Sequence, residues 1–254
     1  MSGSVRETVN ASSLKELTNT AIRDALKGIR SERPNSPAGN EKRFQTATYF
    51  LLEAQDYVAG AWDALLSGNV RVSVTISRWV LEAAMNLWWI VSNEDETEQR
   101  LTDLAGEALR QETTLLDALG DLFPDQTHTF ERRAKKAQQA RADLKCTKVD
   151  SLERRMKSNQ PPDNPGWPSL YVFYRICCSA AHPGLRGWER FKKVGHATVS
   201  VKPSGNSMLT PKLAMWMIVS SVLYLVSFAH CLTQTGDLEA LTNWWNVKVS
   251  PLLG

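Results

Sequence analysis

The chain has 254 residues, 43% of them hydrophobic and 22% charged, enough to bury one large core or two small ones. A net charge of only +3 makes no overall demand for a nucleic-acid partner, so where the charges sit matters more than their sum. Four cysteines, two of them adjacent (Cys177 and Cys178), exclude an ordinary disulfide framework and point to reduced thiols in a cytoplasmic protein, and the N-terminus lacks the basic-then-apolar pattern of a signal peptide.

The first predicted helix starts at Ser13-Leu14-Lys15-Glu16, where Ser and Glu can satisfy each other's free amides, and ends near Arg30. Two prolines and small polar residues over 31–40 then read as a linker. This divides the chain into an N-terminal helix and linker, 1–40, and a helical bundle domain, 41–254. From Glu41 to Leu66 the residues Phe44, Ala47, Leu51, Ala54, Val58, Ala61 and Leu65 recur every three or four positions, which predicts one buried helical face. Val70 to Ser92 is apolar on nearly every side and reads as a helix surrounded by others.

Asn93 with Glu94, Asp95 and Glu96 caps a third long helix that runs to about Leu122 and is closed by Pro124. A weakly apolar, Lys- and Arg-rich helix is expected from about Thr129 to Ser158 as the most exposed element. After a Pro- and Gly-containing break, Pro168 opens a helix ending Tyr174-Arg175-Ile176-Cys177-Cys178-Ser179-Ala180-Ala181-His182, which Pro183-Gly184 stops. Residues 185–209 form a small hairpin or a loop. Thr210-Pro211 starts a helix without Asp, Glu, Lys or Arg from Leu213 to Gly236, read as a buried central helix in preference to a membrane span, and a short helix with Trp244 and Trp245 follows. The fold class is therefore an all-α helical bundle with a buried central helix, a basic exposed helix and at most one small β-hairpin.

Chemistry concentrates in the helix ending at His182. Arg175 and His182 are seven apart and project from one face about 10 Å apart along the axis, with Ser179 between them. Tyr174, Cys178 and His182 form a second row spaced by four. On the helix from Val70, Arg78, Glu82 and Asn86 are likewise spaced by four in an apolar run. Buried polar stripes need partners, so these two stripes are expected to meet. No Cys-x-x-Cys or His-Glu-x-x-His spacing supports a metal site, and no phosphate-binding Gly-rich loop, Gly-x-Ser-x-Gly elbow or dinucleotide fingerprint is present, so neither metal nor cofactor is expected.

An Arg followed by six residues and a His, on a helix of an all-helical protein, resembles the signature of the HEPN superfamily (higher eukaryotes and prokaryotes nucleotide-binding), although Ile176 stands where that signature has a polar residue after the Arg. The chain over roughly 41–235 also resembles an uncharacterised bacterial all-helical family, a domain of unknown function with an Arg-x-x-x-Glu helix (Arg78 and Glu82) and a later Tyr, Ser and His-Pro pattern (Tyr174, Ser179, His182-Pro183). The HEPN resemblance implies metal-independent RNA cleavage by a ribonuclease, with His182 exchanging the proton, Arg175 holding the phosphoryl oxygens, and Ser179 or Tyr174 orienting them. It further implies a homodimer, a role as a bacterial toxin or antiviral-defence effector, and a cognate antitoxin or defence-system partner.

Charge supports an RNA partner independently of that resemblance. Between Arg132 and Lys157 ten basic residues face three acidic ones, so Arg132, Arg133, Lys135, Lys136, Arg141 and Lys145 are candidates for tracking a phosphate backbone. A solvated helix face has the same appearance. Likewise, a His before Pro-Gly at a helix end is well placed against the helix dipole, and Arg78, Glu82, Tyr174 and His182 suit a structural polar core. A non-catalytic helical interaction protein is thus the alternative, and a membrane-attached protein a third.

Overall fold

The computed structural model describes residues 2–35, 40–152, 154–155, 170–181, 191–194, 198–201, 209–236 and 238–253. The described elements are nine α-helices, three single-turn 3-10 helices, one π turn and one two-stranded hairpin, so the fold is an all-α bundle. The chain forms two compact units, one comprising Met1–Trp88 with Pro161–Gly254, the other Trp89–Gln160.

In the first unit, α1 (Ser2–Glu32), α2 (Glu41–Leu66) and α7 (Pro211–Thr233) pack against one another. Helix α1 begins well before Ser13, so Ser13 and Glu16 lie inside a helix and cap nothing. Its buried positions Ala11, Leu14, Thr18, Ile22 and Ile29 make a face of helical spacing, which places α1 in the same compact unit as α2. The seven α2 residues named above for their periodicity are all buried, joined by Phe50 and Trp62. The Trp62 indole N–H donates to the Thr18 hydroxyl at 2.9 Å, and that hydroxyl donates in turn to the Leu14 carbonyl, so a fully buried polar pair is satisfied within the apolar layer.

Helix α7 is the centre of this unit. Thr210 accepts from the Leu213 amide at 3.1 Å, Pro211 occupies the first turn, and Gln234 in the left-handed region (φ 54°) ends the helix. Gly236, at φ 82°, lies against the His230 ring, where a β-carbon would collide. Helix α7 is long and apolar enough to cross a membrane by length and composition, yet 83% of its most apolar stretch is buried inside the protein. Two of its three buried serines bond back one turn, Ser221 to the Met217 carbonyl (2.6 Å) and Ser227 to the Leu223 carbonyl (2.8 Å), while the buried Ser220 hydroxyl has no hydrogen-bond partner among the described residues. Trp88, on α3 (Val70–Val91), packs on Phe228 with ring centroids 5.1 Å apart.

Helix α3 is not enclosed on every side, contrary to its composition. Trp79 is 54% exposed and stacks on Tyr57 of α2 at 5.8 Å, and Val72 is also exposed. Beyond α6 (Leu170–Ala181), strands β1 (Phe191–Val194) and β2 (Thr198–Val201) pair antiparallel with Lys192 opposite Ser200, which realises the hairpin alternative for 185–209. The chain ends in α8 (Leu238–Trp244), a wider turn over Trp245–Val249, and α9 (Ser250–Leu253), whose Leu252 carbonyl accepts from the Asn10 amide at 3.0 Å.

The second unit is a helical hairpin of α4 (Thr97–Leu122) and α5 (Thr127–Asp143). Asn93 caps the turn before α4, its side chain accepting from the Asp95 amide at 3.2 Å, as its place in the sequence predicts. Small residues lie on the buried sides of both helices: Gly120 of α4 faces Thr127 at the start of α5, Ala134 and Ala137 are the buried residues of α5, and Gly106 of α4 is buried under Cys146. Small side chains let the backbones approach, so little apolar area is needed to hold them.

The basic helix is shorter than its composition suggests. It stops at Asp143, Lys145 adopts a left-handed conformation (φ 50°), and 146–151 are irregular rather than helical. Tertiary partners override helix propensity here. The buried Asp103 carboxylate accepts from the Thr147 amide (2.6 Å) and hydroxyl (2.8 Å), while the Cys146 side chain fills the space above Gly106. Trp89 lies beneath two guanidinium groups, those of Arg100 (5.3 Å) and Arg155 (4.8 Å), and the Arg100 guanidinium also donates to the Trp89 carbonyl.

Candidate functional site

The expected meeting of two polar stripes is present in the first unit. Arg78 donates to Glu82 at 2.6 Å across one turn of α3, and its guanidinium lies over the Tyr174 ring of α6, 5.5 Å from the centroid. Seven residues earlier, on the same face of α3, Arg71 donates to the Ala180 carbonyl at 2.8 Å. The pairs 78 with 174 and 71 with 180 run in opposite senses along the chain, so α3 and α6 are antiparallel where they meet. Arg71 was not among the candidates from sequence, although its seven-residue distance from Arg78 marks it as belonging to that face.

The chemistry of this cluster follows from its partial burial. Burial opposes the Arg78 charge, but the hydrogen bond and charge of Glu82 outweigh it, and the guanidinium pKa is raised. The Tyr174 hydroxyl is pushed up to about 12, by burial first and then by its hydrogen bond to Cys178, with Arg78 opposing. Tyr174 is therefore a phenol at physiological pH; it can donate a hydrogen bond and cannot act as a base. Cys177, fully buried beside it, is also pushed up to about 12, mainly by burial, which makes it a packing residue and not a nucleophile. Asn86, two turns from Arg78, is half-buried on the same side of α3.

Arg175 occupies a different position. Phe173, Cys177 and Ala180 are the buried positions among the described side chains of α6, and Arg175 is exposed on the other side of the helix, separated from Tyr174 by one step of about 100°. Arg175 and Tyr174 thus belong to two different surfaces of α6. Ser179 is part of this helix, and His182 lies outside the described residues.

In the second unit the cationic candidates line α5 and its end. Arg132, Arg133, Lys135, Lys136, Arg141 and Lys145 are all exposed. By helical spacing, Arg132, Lys135 and Lys136 lie opposite Ala134 and Ala137, which are turned toward α4. Arg133 sits at the flank, 3.5 Å from Glu112 of α4, and Arg141 contributes to lowering the pKa of Glu107. The outer face is a solvated cationic strip with its charges held on a rigid element. Among the described residues, no group of three His, Cys, Asp or Glu side chains is placed to hold a metal ion.

No family model matches this chain, and neither a curated protein nor a solved structure matches it.

Proposed function

We propose that this protein is a HEPN-like cytoplasmic RNA-binding protein that tracks the phosphate backbone along α5 and cleaves RNA at a site formed by Arg175 and His182. The observation that carries the proposal is the exposed cationic strip of Arg132, Lys135 and Lys136. Such a strip binds by releasing counterions, whatever the base sequence. The exposure of Arg175 supports the catalytic half, because a guanidinium in contact with solvent can meet a phosphate.

In the reaction, the ribose 2′-oxygen forms a bond to the adjacent phosphorus as the bond to the 5′-oxygen breaks. His182 takes the 2′-proton, a proton is returned to the leaving 5′-oxygen, and Arg175 offsets the charge on the non-bridging oxygens. The products are a 2′,3′-cyclic phosphate end and a 5′-hydroxyl end. Ser179 orients the groups, while Tyr174, on another surface of α6, stays with the Arg78 cluster. In this reading a second copy completes the site, and the protein acts as a toxin or antiviral effector restrained by a cognate partner.

The test has two arms. Binding of a fluorescent single-stranded RNA, measured by anisotropy across a salt series, should weaken for Arg132→Glu/Lys135→Glu/Lys136→Glu, with the logarithmic salt slope reduced by about 2. Separately, end-labelled RNA should yield cyclic-phosphate ends with the native protein and none with His182→Ala or Arg175→Ala. RNA that is neither bound nor cut would leave the second reading, a non-catalytic interaction protein. One observation favours that reading for part of the cluster: Arg78, Glu82 and Tyr174 engage one another and are half-buried, as a structural polar core would be.

A further inference from the structure

Helix α4 has two apolar faces, and α5 covers one of them. The covered face carries Gly106, Leu116 and Gly120, all buried. On the opposite side Ala108, Gln111, Leu115, Ala118 and Leu122 succeed one another at steps of three and four residues. Leu101 and Leu104 precede them in the same rhythm. This is the seven-residue repeat with which one helix packs along another. From Ala108 onward every position of the repeat is exposed, Leu115 at 58% and Leu122 at 68%, and Phe123 at the end of the helix is exposed too. A sustained seam of this spacing on an uncovered helix face is not the scattered exposure that solvated helices show.

The charges beside the seam say what fits it. The positions flanking its exposed part, from Ala108 onward, are Glu107, Glu112, Thr114, Leu119 and Asp121, three acidic and none basic, while Arg100, beside Leu101, is buried. A second copy of α4 would set Glu107 against Glu112 in a parallel pair, and Glu112 against Glu112 and Glu107 against Asp121 in an antiparallel one, which opposes self-pairing. An anionic membrane surface is opposed for the same reason. Glu107 and Glu112 do have partners, Arg110 at 2.6 Å and Arg133 at 3.5 Å, but both arginines are more than half exposed and can exchange them for others.

We propose that the free face of α4 is the docking seam for an amphipathic helix of another protein, one with Leu-type residues in a seven-residue repeat and Lys or Arg on both sides of its seam. The proposal goes beyond the RNA reading and does not depend on it, since the seam and the cationic side of α5 are on different helices and carry opposite charge.

The test uses the full chain and three labelled peptides of roughly 21 residues, three repeats each. All have Leu at the seam positions except the third; the first has Lys at the flanks, the second Glu, and the third is a scrambled version of the first with the repeat destroyed. The Lys-flanked peptide should bind about ten-fold or more tightly than either of the others, by fluorescence anisotropy. Leu115→Asp/Leu122→Asp, both at exposed positions and checked for folding by circular dichroism, should lose that preference. Glu112→Lys/Asp121→Lys should turn it around, favouring the Glu-flanked peptide. Equal binding of all three peptides would overturn the proposal, as would binding that survives Leu115→Asp/Leu122→Asp. So would a wild-type dimer in sedimentation velocity that this double substitution dissociates, because the occupant would then be a second copy.

Discussion

Helix α7 buries seventeen of its 23 residues and α4 only seven of its 26. The buried positions of α7 go all the way round and are mostly large; those of α4 surround the helix only over its first turns, Thr97 to Asp103, and beyond them keep to one side, at Gly106, Leu116 and Gly120. A helix of the first kind is held by the area it removes from water, and is tolerant of sliding or repacking as long as volume is kept. A helix of the second kind is held by close approach, so its stability rests on the absence of side-chain atoms at a few positions. The first kind of packing leaves no surface for a partner. The second leaves more than half a helix free, and in α4 that freedom is used for an apolar seam.

The largest effect should come from breaking the volume-based packing. Trp62→Ala, which removes a fully buried side chain and strands the Thr18 hydroxyl, should cost about 4 kcal/mol in urea denaturation. Hydrogen exchange should accelerate in α1, α2 and α7. Next, the close-approach packing should break by addition rather than deletion: Gly106→Ala forces its new methyl into the Cys146 side chain and should cost about 2 kcal/mol. Faster exchange should appear in α4 and α5, and Cys146→Gly should restore part of the loss. If Gly106→Ala is neutral, the contrast between the two packing modes does not hold.

A smaller loss, about 1 kcal/mol, is expected for Glu82→Gln, which weakens the partner of Arg78 in a half-buried pair; thermal unfolding would register it. The smallest concerns pH. The Glu107 pKa is lowered, chiefly by its hydrogen bond to Arg110, against opposing burial. A carboxylate whose folded pKa lies below its unfolded one contributes stability above the unfolded value of 4.5 and loses it as pH falls through the lower folded value. Glu107→Gln should therefore destabilise slightly at neutral pH and flatten the acid limb of the stability curve. The effect is small because water screens the pair.

Which parts of this structure could be read from sequence depends on whether the cause was local. The α2 face was legible because Phe44 through Leu65 repeat at helical spacing, and so was the contact between α3 and α6, because Arg78 and Tyr174 are polar residues in apolar runs. The end of α5 was not: nothing in Leu144-Lys145-Cys146-Thr147 announces a turn, which depends on Asp103, more than forty residues earlier. The start of α1 was misplaced because Ser13 and Glu16 have capping chemistry but sit mid-helix. Trp79 reads as enclosed because the helix that carries it is apolar on nearly every side, whereas it stacks on Tyr57 at the surface. For the candidate site, spacing alone put Arg175 and Tyr174 in one polar segment, and only the helix rotation separates the exposed arginine from the half-buried tyrosine. The α4 repeat stands in the sequence at Leu101, Leu104, Ala108 and Leu115, where nothing distinguishes a seam left bare from one that is packed. Its meaning lies in what fails to cover it.

The two faces of α4 share one backbone, and that ties their histories together. A one-residue insertion or deletion between Gly106 and Gly120 turns everything beyond it by about 100°. It would carry Leu122 off the line of Leu101 and Leu104 and, in the same step, bring a bulkier residue to where Gly120 now sits against α5. Substitution can tune either face alone, but a change of length cannot. Descendants of this chain should vary freely in what α4 displays and hardly at all in how many residues it contains.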